Sequence, residues 1–155
     1  MSKICDHKSV GMLVWKGDKL LLIERAKFPF GFAVPAGHVD DDPTFEAAAK
    51  RELKEEVGLD SVDLELMLDI RKENPCRREG GTWHQYKLYK VHTTGDVSGS
   101  AVETKQTRWF SIEEIRALAE RTDRYLNKNI PEDEWQRDPG LEPVMYDLFK
   151  DTGII

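Results

Sequence analysis

The chain has 155 residues, 39% of them hydrophobic and 34% charged, with a formal net charge of −6. This excludes a largely disordered chain and suits one domain, residues 1–155, with room for a real core. The negative balance disfavours an extended nucleic-acid surface, which needs basic patches, yet allows a local cationic pocket for a small anion.

The N-terminus, MSKICDHKSV, lacks the apolar region of a signal peptide, and no apolar run approaches the length of a membrane span. Cys5 and Cys76, the only cysteines, lie far apart and make no disulfide framework, so a reducing cytoplasm and no membrane are expected. Cys5 and His7 form a C-x-H pair of metal-ligating types, but no second pair with matching spacing accompanies them. A structural zinc is therefore not expected. Ser9–Lys16 and Lys19–Glu24, joined by Gly17-Asp18, predict a β-hairpin with buried strands. Ala26–Gly31 breaks the pattern, and Phe32–Val39 resumes extended structure around Pro35-Ala36-Gly37. Phe28, Phe30 and Phe32 suit packing, and one of them, Phe32 being the candidate, would flank a nucleobase.

The stretch GHVDDDPTFEAAAKRELKEEVGL, Gly37–Leu59, opens with a glycine-containing turn and runs into a helix. Asp42 is the expected cap, with Pro43 at the first helical position. Projected at roughly 100° per residue, Phe45, Ala48 and Ala49 share a stripe with Glu52, Glu55 and Glu56, while Lys50 and Lys54 lie opposite. A merely solvated acidic face would sit opposite the apolar stripe. Three carboxylates converging at the edge of a core repel one another unless a cation joins them, and such hard oxygen ligands suit Mg²⁺ or Mn²⁺.

This stretch resembles the Nudix box, G-x5-E-x7-R-E-U-x-E-E-x-G-U, where U is bulky and aliphatic. Gly37, Arg51, Glu52, Leu53, Glu55, Glu56, Gly58 and Leu59 are all in register, and only the first glutamate departs, being Pro43 here. The resemblance implies an α/β (α+β) fold, a Nudix-type α/β/α sandwich with a mixed β-sheet. It also implies that Glu52, Glu55 and Glu56 hold divalent metal, with the Gly37 carbonyl as a further ligand and Arg51 orienting the acids. In the family the first box glutamate supports that arginine, so Pro43 puts Arg51's partner in question. Arg25 stands where the family often has an arginine facing phosphates, a plain surface arginine being the alternative.

Downstream, alternating Val62, Leu64, Leu66 and Leu68 predict a strand over Val62–Arg71 with one buried face. Lys72–Gly81 is a polar loop whose Arg77-Arg78 would contact phosphate if the loop covers the substrate. Its Pro75 falls where ADP-ribose-cleaving relatives often have proline. Thr82–His92 is a long strand without a cleanly apolar face, which suits the wall of a cleft or a sheet edge; Tyr86 is a candidate substrate contact. Glu103 precedes a short strand ending Trp109-Phe110, and the resemblance makes it a candidate to complete the metal site or act as general base. Ser111-Ile112-Glu113-Glu114 is a capping box for a helix through about Glu120. Arg121–Gly140 has no clear pattern, and Leu141–Lys150 predicts a terminal helix stopped by Gly153.

The implied activity is hydrolysis of a diphosphate bond in a nucleoside diphosphate linked to another moiety: a nucleotide sugar, an ADP-ribose-like compound, a dinucleotide polyphosphate or a nucleoside triphosphate. Glu52, Glu55, Glu56 and Glu103 are the catalytic candidates, and the choice of base among them stays open. The expected partner is a small nucleotide or diphosphate, with a homodimer left open. A non-catalytic nucleotide-binding domain is the main alternative, and the loss of box glutamates that would mark it is not seen.

Overall fold

The computed structural model describes residues 3–98 and 104–155. In chain order the elements are β1 (Lys8–Lys16), β2 (Lys19–Arg25), β3 (Phe32–Ala33), β4 (Ala36–His38), α1 (Phe45–Val57), β5 (Asp60–Lys72), β6 (His84–Thr94), β7 (Thr104–Phe110), α2 (Ile112–Leu126), α3 (Glu132–Arg137) and α4 (Pro143–Thr152). The predicted hairpin forms, with Trp15 opposite Leu20 in β1 and β2. The strand order is β3-β2-β1-β6-β5, with β4 also on β1 and β7 also on β2. Because β1 runs parallel to β6 while its partners β2 and β4 run antiparallel, the sheet is mixed.

Successive side chains of a strand point to opposite faces, and here each face has its own core. Val10, Met12 and Val14 of β1, with Leu21 and Ile23 of β2, pack with Ala48, Ala49, Leu53 and Val57 of α1. Leu13, Leu20 and Leu22 pack on the other face with Ile115 and Ala119 of α2 and with Val144, Met145, Leu148 and Phe149 of α4. The result is the expected α/β/α sandwich. Fully buried Leu53 pins α1 to the sheet, and removing it to Ala would cost about 2–5 kcal/mol. Among the described residues no helix is long and apolar enough to cross a membrane.

Three local expectations are corrected. Thr44, not Asp42, caps α1: its Oγ1 accepts from the Ala47 N–H at 3.0 Å. The Asp42 carboxylate is committed elsewhere, and Pro43 lies in the approach to the helix. Val62 and Leu66 are 63% and 50% exposed, because register shifts between Ser61 and Asp63 and between Leu66 and Leu68 break the alternation of β5. Of the two readings left open for β6, the sheet edge drops out, since the strand is interior, between β1 and β5. Finally, α2 runs on to Leu126, and the patternless stretch after it contains α3, anchored by buried Trp135 stacked on Tyr125 at 3.9 Å.

Candidate active site

A cleft of about 420 Å³ opens between the end of α1, β4, β6 and the loop that follows β5, a volume suited to a small ligand. The last turns of α1 present Glu52, Glu55 and Glu56 to it, and β4 presents Gly37. Glu56 is only 6% exposed, and its Oε2 accepts from the Ala36 N–H at 3.4 Å. A Cβ placed at Gly37 would run into the Glu52 carboxylate. Glycine here lets the β4 backbone lie directly against the acids.

Arg51 organises this group. Its Nε donates to Asp42 Oδ2 at 2.7 Å, Nη1 donates to Glu52 Oε1 at 2.8 Å and Glu55 Oε2 at 3.2 Å, and Nη2 donates to the His38 carbonyl at 3.0 Å. Burial works against its charge, but the Asp42 and Glu52 carboxylates outweigh that and hold the guanidinium above its ordinary pKa. A donor set of three carboxylates packed against backbone is the chemistry that hard divalent cations favour, so the site fits Mg²⁺ or Mn²⁺.

The same cleft is also lined by cationic and aromatic groups. Arg25 lines the cleft and donates through Nε to the Pro29 carbonyl at 2.7 Å. Arg77 and Arg78 both line it, but Arg78 donates through both terminal nitrogens to Asp40, so much of its charge is already met. The Asn74 amide donates to the Tyr86 hydroxyl at 2.8 Å, fixing that ring in the wall. Glu142, buried at the start of α4, also lines the cleft; burial pushes its carboxyl up to about 7, with Arg25 opposing. Burial, reinforced by Arg78, pulls His38 down to about 4.

The structure therefore brings Gly37, Glu52, Glu55, Glu56, Arg25, Arg77, Arg78 and Tyr86 to one cleft, with Arg51 behind the acids. Phe32 is a correction. It is 7% exposed and packs edge-on against Phe110 at 5.2 Å, as part of the core rather than the cleft. Phe28, 45% exposed, lines the cleft instead. Glu103 lies outside the described residues. Sequence reasoning missed Asp42 as the arginine partner, Glu142, and a second cluster in which Cys5, His38, Cys76 and His84 meet. The run Asp40-Asp41-Asp42 beside the departing Pro43 was the available signal for the first.

A family model for the NUDIX domain matches residues 6–130, and the chain belongs to that family. It is 29% identical over 124 residues to the NAD-capped RNA hydrolase NudC of Stutzerimonas stutzeri (strain A1501), covering 76% of this chain and 42% of that protein. An ADP-ribose pyrophosphatase of Methanocaldococcus jannaschii is 45% identical over 57 residues, 34% of each chain. The chain thus spans less than half the length of these two curated relatives. Among solved structures, a MutT protein from Methanosarcina mazei Go1 aligns with a TM-score of 0.68 over 99% of this chain and 96% of that one, at 18% identity, a likeness of fold.

Proposed function

We propose that this chain is a divalent-metal-dependent pyrophosphohydrolase acting on a nucleoside diphosphate linked to another moiety. The observation that carries the reading is one cleft lined by Glu52, Glu55 and Glu56 together with Arg25 and Arg77. A diphosphate is multiply charged and poorly electrophilic, so its hydrolysis calls for cationic neutralisation and an oriented water. Glu52, Glu55 and Glu56 hold the cation, which supplies charge neutralisation and acidifies water when bound. One of these glutamates, or Glu103, accepts the proton of the attacking water. Arg51 acts behind them, holding Glu52 and Glu55 in place through its Nη1. Arg25 and Arg77 bind phosphate oxygens, and Phe28 stacks on the base.

Pro75 lines the same cleft, which supports ADP-ribose-like substrates as the first to try; nucleotide sugars, dinucleotide polyphosphates and nucleoside triphosphates complete the panel. The test is a phosphate-release screen across that panel with Mg²⁺ or Mn²⁺, products being resolved by chromatography. Cleavage of at least one compound at its diphosphate bond is expected. Saturable binding of a nucleotide with no turnover under either metal would replace this reading with that of a nucleotide-binding regulator.

A further inference from the structure

Cys5 from the segment before β1, His38 from β4, Cys76 from the loop after β5 and His84 from β6 each offer one ligand atom, and these atoms all lie within 4.8 Å of one another. We propose that these four residues form a closed structural zinc site, separate in its donors from the carboxylate site and independent of the hydrolase reading.

Two of the donor separations match those around a bound ion. A tetrahedral Zn²⁺, with Zn–S of about 2.3 Å and Zn–N of about 2.0–2.1 Å, sets its ligand atoms about 3.3–3.8 Å apart. Cys5 Sγ lies 3.3 Å from His84 Nε2 and 3.6 Å from His38 Nε2. Both cysteines are free thiols. Two sulfurs and two imidazole nitrogens are the donor set that selects Zn²⁺ over the hard cations suited to the α1 acids.

The surroundings are built for the same end. The Asn74 amide is oriented by its bond to the Tyr86 hydroxyl, which turns Oδ1 toward His84 Nδ1 at 3.2 Å. That pairing places the imidazole proton on Nδ1 and leaves the Nε2 lone pair facing Cys5, the arrangement typical of a metal-bound histidine. Each sulfur also receives the backbone N–H of the second residue along: His7 N–H to Cys5 Sγ at 3.3 Å and Arg78 N–H to Cys76 Sγ at 3.4 Å. The Arg78 guanidinium, the nearby fixed cation, is engaged by Asp40 rather than bonded to either sulfur. A Cβ at Gly81 would collide with Cys76 Sγ, so the loop keeps that space for sulfur. His7, the partner the C-x-H spacing suggests for Cys5, instead stacks on Trp83 at 4.1 Å. An ion at this place would staple the N-terminal segment and the loop bearing Arg77 to the cleft wall.

The test starts from protein purified under reducing conditions without chelator, with metal measured by mass spectrometry. Cys5→Ser, Cys76→Ser and Glu56→Gln variants are measured alongside, each checked for folding by circular dichroism. The expected result is about one zinc per chain in the wild type and in Glu56→Gln, falling at least about tenfold in the cysteine variants. Zinc retained by the cysteine variants but lost from Glu56→Gln would place the ion at the carboxylates and overturn the proposal. Should a cysteine variant fail to fold, the wild-type chain carries the test. Stripped of metal and kept reduced, it should take up one equivalent of Co²⁺ with the visible absorption of a tetrahedral thiolate site, and Zn²⁺ should displace it. Failure of the reduced, folded chain to bind either ion, or a Cys5–Cys76 disulfide found with thiols trapped at lysis, overturns it as well.

Discussion

Arg51 Nε donates to Asp42 Oδ2 at 2.7 Å, so the guanidinium that orders the α1 acids is held by the neighbour of Pro43 rather than by residue 43. The departure from the family pattern is thereby compensated one residue upstream. Pro43→Glu should change stability by less than about 0.5 kcal/mol, whereas Asp42→Ala should cost about 1.5–3 kcal/mol by stranding part of a charged hydrogen-bond group. Urea denaturation of both variants decides it. A gain of more than 1 kcal/mol in Pro43→Glu (about twice that bound) would show that Asp42 is not an adequate partner.

Glu56 is the most enclosed of the three cleft-facing helix acids, nearly isosteric with glutamine and packed against the Ala36 N–H. Glu56→Gln should keep the fold and lower kcat by at least about 100-fold. Steady-state kinetics under saturating Mg²⁺ check this, with circular dichroism as the control. Turnover at the wild-type rate would remove Glu56 from the chemistry.

Glu142 is a carboxyl whose folded-state pKa, about 7, stands above its ordinary value of 4.5. A raised carboxyl favours the folded state when protonated. Its contribution is fully present below pH 4.5, declines as pH rises toward 7 and is gone above that. The span corresponds to roughly 3 kcal/mol at 1.36 kcal/mol per unit. Glu142→Gln, whose single amide oxygen can still accept from one of the Val144 and Met145 N–H groups, should remove this slope. Denaturation midpoints at pH 5 and pH 8 should therefore fall further in the wild type than in the variant. Parallel behaviour of the two chains would refute a neutral Glu142.

Two phenylalanines four positions apart should behave differently. Phe32 is packed against Phe110 in the core, so Phe32→Ala should cost about 3–5 kcal/mol. Phe28 is exposed beside the cleft, so Phe28→Ala should leave stability within about 0.5 kcal/mol and raise KM for a nucleotide substrate. An unchanged KM would remove Phe28 from base recognition.

The α1 site was legible because its chemistry is local. Glu52, Glu55 and Glu56 share a helix face by spacing alone, and Ala48 and Ala49 on the same stripe show which face turns inward. Asp42 was ambiguous, because a short acid ahead of a helix reads equally as a cap or as an ion-pair partner; only Thr44's hydrogen bond to Ala47 resolves it. The bulges of β5 left no mark on its alternating leucines, since a register shift is a property of the pair of strands. The Cys5–His38–Cys76–His84 cluster was illegible for a related reason. Its members come from four separate segments at no fixed spacing, and the sheet topology alone brings them together.

The parallel pairing of β1 with β6, Ser9 opposite Tyr86 and Val14 opposite Val91, also sets the order in which this chain can assemble. The β1–β2 hairpin and α1 are local and can form early, while the β1–β6 ladder must wait until a long intervening segment has been closed into a loop. The cleft draws lining residues from both sides of that closure, with Glu56 before it and Tyr86 after it. Refolding should therefore restore helical signal before ligand binding, and a ribosome-bound chain ending before β6 has the acids without the pocket that gives them a target.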